Sequence, residues 1–140
     1  MKLRLALVVA LGAGALAAPA AGSSTAARWF VTPGKSGVSC ELGLNRPSTH
    51  PATYVWCLAY RGGRPYRTAV AVQMTASAKL EPCHGLRCIG NDPTPDPVLK
   101  VGHSIDFGPF RCTSLRRGVR CTVRELGHGF RLSTHGLTRV

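Results

Sequence analysis

The stretch from Phe110 to Cys121 constrains this chain more than any other. Two cysteines, Cys112 and Cys121, flank a short polar turn, Arg116-Arg117-Gly118. Side chains alternate across a strand with a period of two. On the first arm this puts Phe110 and Cys112 on one side. On the second it puts Val119, Cys121 and Val123 on one side, while Arg111, Arg120 and Arg124 point the other way. The pattern predicts a β-hairpin with an apolar, disulfide-bearing face and a basic face.

The remaining cysteines extend the same logic. Val38, Cys40, Leu42 and Leu44 alternate with Ser39, Glu41 and Gly43, which reads as a half-buried strand. Thr53 to Tyr60 is the strongest strand signal. Val55, Cys57 and Ala59 share one side; Tyr54, Trp56, Leu58 and Tyr60 share the other. Both sides are apolar, so both are expected to be covered. Trp56 is also a candidate stacking platform for a sugar or a base. Gly37-Val38-Ser39-Cys40 echoes Gly118-Val119-Arg120-Cys121, each beside a second cysteine-bearing strand. Two related hairpins, each stapled across its strands, are expected. That suggests the pairs Cys40–Cys57, Cys83–Cys88 and Cys112–Cys121, although six cysteines admit other connectivities.

Further strand candidates lie at Trp29-Phe30-Val31, Ala69 to Met74, Val98 to Val101 and Ser104 to Phe107. They recur at short spacing with Gly and Pro between them, and no apolar 3.6-residue period is sustained outside the N-terminus. The expected fold is all-β: a small disulfide-stapled β-barrel or sandwich built from short antiparallel strands and hairpins. Lys2 and Arg4 precede an apolar run from Leu5 to Ala17 and a small-residue exit at Ala18-Pro19-Ala20. Residues 1–22 therefore read as a signal peptide, short for a membrane span. A flexible segment over 23–28, a single β domain over 29–134 and a frayed C-terminus over 135–140 follow. Six cysteines in an exported chain of this size read as a disulfide framework. The expected location is outside the cell or in its envelope.

Eighteen basic residues stand against six acidic ones, for a net charge of +12, and the excess is almost all arginine. Arginine holds phosphate or carboxylate through two parallel hydrogen bonds. This favours an anionic partner: wall polymer, lipid head group, nucleic acid or an acidic protein face. The candidate binding residues are Arg111, Arg116, Arg117, Arg120 and Arg124, with Trp56. Arg61, Arg64 and Arg67 form a second basic group. A solvated basic face that blocks edge-to-edge aggregation accounts for the same pattern.

Catalytic chemistry has thinner support. Glu125 and His128, with Arg131 and His135 nearby, are the parts of a small ribonuclease-like site: base, acid and phosphate clamp. The glycines around His128 equally suit a structural turn. Ser104, Asp106 and His103 are adjacent in sequence and lack a nucleophile elbow, which is not how a triad is built. Cys83, His84 and Cys88 with His128 offer one close ligand pair, whereas structural zinc wants two, so no metal or cofactor is expected.

The C-terminal half also resembles a family of small secreted actinobacterial proteins of unknown function (DUF6636-like). The likeness rests on Val98-Leu99 with Gly102, on Gly108-Pro109-Phe110-Arg111-Cys112-Thr113-Ser114, on Gly118-Val119-Arg120-Cys121, and on Gly127-His128-Gly129-Phe130 with Leu132-Ser133. Phe30, Thr32-Pro33 and Cys40 are similar to the family's opening element, and Cys88 with Gly90 and Asp92 to a later one. The opening element here is one residue longer and lacks its Asn. The resemblance implies export, β structure and paired cysteines, and no activity. The expected function is a non-enzymatic module that binds an anionic or protein partner. A secreted hydrolase using Glu125 and His128, or an inhibitor-like factor, are the alternatives.

Overall fold

A computed structural model describes residues 25–34, 37–60, 69–89 and 97–140. Among these residues, ten strands form two antiparallel sheets, each a plain meander. The N-terminal sheet orders β1 (Ala26–Val31), β2 (Val38–Leu44), β3 (Tyr54–Tyr60), β4 (Ala69–Thr75) and β5 (Leu80–His84). The C-terminal sheet orders β6 (Ser104–Phe107), β7 (Phe110–Leu115), β8 (Gly118–Val123), β9 (Gly129–Ser133) and β10 (Gly136–Arg139). Neither sheet closes on itself, so of the two expected architectures the sandwich is the one adopted.

Alternation decides what lies between the sheets. Phe30, Cys40, Cys57 and Val72 are register partners across four strands of the N-terminal sheet. Ile105, Cys112, Cys121 and Phe130 are the corresponding row in the C-terminal sheet. Both rows enter a single apolar core with Val38, Leu42, Val55, Met74, Phe110, Val119 and Leu132. Each fully buried aliphatic or aromatic side chain contributes roughly 1.5–3 kcal/mol of transfer free energy.

The expected cysteine pairs are all present: Cys40–Cys57, Cys83–Cys88 and Cys112–Cys121. Two of them join register partners between the second and third strands of their meanders, with Cα–Cα distances of 4.1 Å. The sulfurs of Cys40, Cys57 and Cys121 lie within 4.8 Å of one another, so cystine packs on cystine at the centre of the sandwich. All three sulfurs are consumed in disulfides. The third pair sits on the outside of the N-terminal sheet. There Cys83 and Cys88, closing a loop with a 3-10 turn at Leu86–Cys88, cover Leu58, Ala69 and Ala71. Both sides of β3 are thereby covered over part of its length, as its two apolar parities require.

Two ends depart from expectation. Strand β1 starts at Ala26, inside the segment expected to be flexible, because its backbone pairs with β2 from Leu44 onward. Residues 135–140, expected to fray, instead supply β10, which pairs with β9 from Gly136↔Ser133 to Arg139↔Phe130. Val140 adds backbone hydrogen bonds with Gly129 in both directions, which holds the last residue to the sheet edge. The expected signal segment, the Arg61–Arg64–Arg67 group and most of the proline-rich loop lie outside the described residues. No described helix is long and apolar enough to cross a membrane.

Two of the described buried positions are polar, and they differ: Thr32 Oγ1 accepts from the Val38 N–H at 2.8 Å, whereas Ser114 is left unpaired. Ser114 is fully buried on the inward face of β7, and its Oγ has no hydrogen-bond partner among the described residues. An unsatisfied buried hydroxyl costs about 1–3 kcal/mol. Ser114→Ala is therefore expected to raise the urea midpoint, against the usual direction for a core substitution, and chemical denaturation measures it.

Candidate functional site

The outward face of the C-terminal sheet is built by the residues that alternate with the core row. Ser104, Thr113, Arg120, Arg131 and Thr138 are successive register partners from β6 to β10. Asp106, Arg111, Thr122 and Gly129 form the next row. Arg111, Arg120 and Arg131 are exposed, as the parity of the hairpin predicts for the first two.

These arginines do different things. Arg111 is fully engaged: its Nε and Nη2 each donate at 2.7 Å to the two carboxylate oxygens of Asp106. The hydrogen bonds from Arg111 hold the Asp106 carboxyl below its usual range, and Asp106 in turn raises the Arg111 guanidinium. Arg124 donates to the Gly108 carbonyl at 2.7 Å, which ties the end of β8 to the β6–β7 turn. Arg120 and Arg131, in contrast, sit directly opposite each other on neighbouring strands and make no hydrogen bond or ion pair with any described residue. Like charges in that position destabilise a sheet by roughly 0.2–1 kcal/mol. The two-residue turn between Leu115 and Gly118 places Arg116 and Arg117 at one end of this face, both exposed. There an open depression of about 340 Å³ is lined by Arg117, Arg131, Ser133, His135 and Thr138 among others. Three cationic or ionisable groups and two hydroxyls thus line one concavity, with no carboxylate among its described lining residues.

Arg131 was placed by its sequence neighbours in a group with Glu125 and His128. The fold gives it to Arg120 and Arg117 instead. Glu125 and His128 both lie exposed in the turn between β8 and β9, and no hydrogen bond joins them. His128 borders a separate depression of about 280 Å³ with Ser77, Leu80 and Arg139, whose lining does not include Glu125. The backbone of this turn is used structurally: Gly127 donates to the Val123 carbonyl and the His128 carbonyl accepts from Val123. Cys83 and Cys88 are bonded to each other, so neither offers a thiolate to His84 or His128. The signal that could have found Arg131 is parity counted back from Phe130 and Leu132 as core residues.

Trp56 belongs to the other sheet and shares no face with the arginines. It stands on the outward side of β3 beside Tyr54, whose ring lies over Gly43, its register partner on β2. A glycine is required there because a Cβ would enter the Tyr54 ring. The buried Tyr54 hydroxyl donates to Glu41 Oε1 at 2.7 Å, and Arg46 approaches the same oxygen at 3.6 Å. Burial first, then the hydrogen bond to Glu41, pushes the Tyr54 phenol from 10.0 up to about 12. A raised phenol stabilises the fold fully below its unfolded value and loses that contribution as pH climbs through the folded one. Stability is thus expected to fall between pH 10 and about 12. Tyr54→Phe should flatten this alkaline limb in thermal melts across pH.

No protein-family model, curated protein or solved structure matches the chain, and its functional reading rests on this geometry.

Proposed function

We propose that this chain is an exported, disulfide-stabilised, non-enzymatic module that binds a phosphate- or carboxylate-bearing polymer outside the cell or at its envelope. The observation behind this reading is the Arg120–Arg131 pair. Two exposed arginines leave neighbouring strands at directly opposite register positions without an acidic partner among the described residues, while Arg111 beside them has one. An anion bound between them removes the repulsion, and each planar fork matches an oxyanion in bidentate fashion. Arg117 and the hydroxyls of Ser133 and Thr138 extend the contact along the depression. Three disulfides suit an oxidising, extracellular setting.

Counterion release gives the test a number. Binding of a single-stranded oligonucleotide loses affinity with salt at a log–log slope of about −0.7 per neutralised phosphate. Arg120→Gln with Arg131→Gln is expected to reduce that slope by roughly 1.4 and to weaken binding more than tenfold at low salt. The same titration against a poly(glycerol phosphate) polymer and against acidic lipid vesicles identifies the source of the anion. Failure of the wild-type protein to bind any of the three at low salt ends the proposal, as does an unchanged slope in the double variant.

A further inference from the structure

The chain contains two tryptophans, Trp29 and Trp56, and the fold sets both in one row on the outward face of the N-terminal sheet. Trp29 is the register partner of Glu41, Glu41 of Trp56, Trp56 of Gln73, and Gln73 of Glu81. The row crosses all five strands as indole, carboxylate, indole, amide, carboxylate. Two strand spacings, or about 9.5 Å, separate the indole-bearing backbones. That is near the length of two sugar rings in an extended polymer. Both indoles are partly buried, Trp56 packing one side against the outer cluster of Leu58, Ala69 and Ala71 and leaving part of its surface to solvent. Neither indole N–H nor the Gln73 amide has a hydrogen-bond partner among the described residues. A depression of about 260 Å³ opens beside Trp56, lined by Gln73, Glu81, Pro82 and Cys83.

We infer that this row is a binding platform for an extended, uncharged polysaccharide. The apolar C–H faces of pyranose rings pack on indole, and sugar hydroxyls both donate to carboxylates and accept from N–H groups. Charge selects the ligand class. Glu41 is bridged by Arg46 at 3.6 Å and Glu81 by Lys79 at 3.0 Å, so the row is locally neutral in a chain of net charge +12. A polyanion finds no excess cation here among the described residues. A neutral polymer finds stacking surface and hydroxyl partners spaced along one line. The acceptors are also preorganised, since Glu41 is held by Tyr54 as well as by Arg46. This site lies on the opposite sheet from the arginine face and is independent of it.

Tryptophan emission reports on this row alone, because both indoles belong to it. Chito- and cello-oligosaccharides titrated into the full chain are expected to shift or quench the emission saturably. Retention on insoluble chitin or cellulose should persist in high salt. Trp56→Ala is expected to weaken binding at least tenfold. Gln73→Ala and Glu81→Ala, which leave the core untouched, should weaken it severalfold without changing the thermal midpoint. The Arg120→Gln, Arg131→Gln protein should bind these sugars as the wild type does, which separates this platform from the polyanion face. No emission change at millimolar oligosaccharide overturns the inference. So does retention that is lost in salt, or binding equal to wild type in both Trp56→Ala and Gln73→Ala.

Discussion

Replacing Cys112 and Cys121 together by alanine is expected to remove about 3–5 kcal/mol of unfolding free energy. The chain-entropy part, for a sequence separation of 9, is about 2.6 kcal/mol. The rest is packing, because both residues are fully buried and the cystine fills the centre of the core. Domains of this kind are stable by only about 5–15 kcal/mol, so the variant stands near its unfolding limit at growth temperature. The Cys40, Cys57 double alanine variant should lose a similar amount, with a separation of 17. The Cys83, Cys88 variant should lose less, about 2 kcal/mol, because it closes a separation of 5 on the outer face of one sheet. Urea denaturation of the three variants gives the order. The contact between the two central cystines adds a second expectation: their costs do not sum, since the sulfurs are neighbours in one cluster.

Gly118→Ala is expected to cost about 3 kcal/mol or more and to abolish polyanion binding. Gly118 has φ near 109°, a region that strains an L side chain by roughly 1–3 kcal/mol. Its added Cβ would also overlap the Leu132 carbonyl oxygen on β9. Overpacking against backbone cannot relax by a rotamer change and adds roughly 1–3 kcal/mol. The strand that must move is the one holding Arg131 opposite Arg120, so the loss of stability and the loss of the basic pair share one cause. Denaturation and retention on a phosphate polymer, measured on the same variant, check both.

What could be read in the chain follows the range over which the information acts. The β7–β8 hairpin was legible because alternation, a two-residue turn and two cysteines all lie within it. The outward direction of Arg111 and Arg120 follows from that parity. The fate of Arg111 depends on the next hairpin. Phe107 pairs with Phe110 across Gly108-Pro109, and this brings Asp106 opposite Arg111. The sign of that contact was present in the sequence, in the short spacing between the two charges. The meeting of Arg120 with Arg131 was not, because the register of β8 on β9 passes through the glycine-rich turn, where parity breaks. Trp29 joins Trp56 only through two successive registers, β1 on β2 and β2 on β3. Period-two patterning within one strand carries no information about either. Choice between barrel and sandwich likewise depends on edges that meet or fail to meet far apart in the chain.

Two outward faces with different chemistry are expected on one stapled core. Residue-resolved amide NMR of the folded chain, titrated with a phosphodiester polymer at low salt, tests this most directly. Shifts are expected along β8 and β9, in the β7–β8 turn at Arg116 and Arg117, and around Ser133 to Thr138. The amides of β2 to β4 around Glu41, Trp56 and Gln73 should stay where they are. Perturbations concentrated on that tryptophan row, or spread evenly over both sheets, would contradict it.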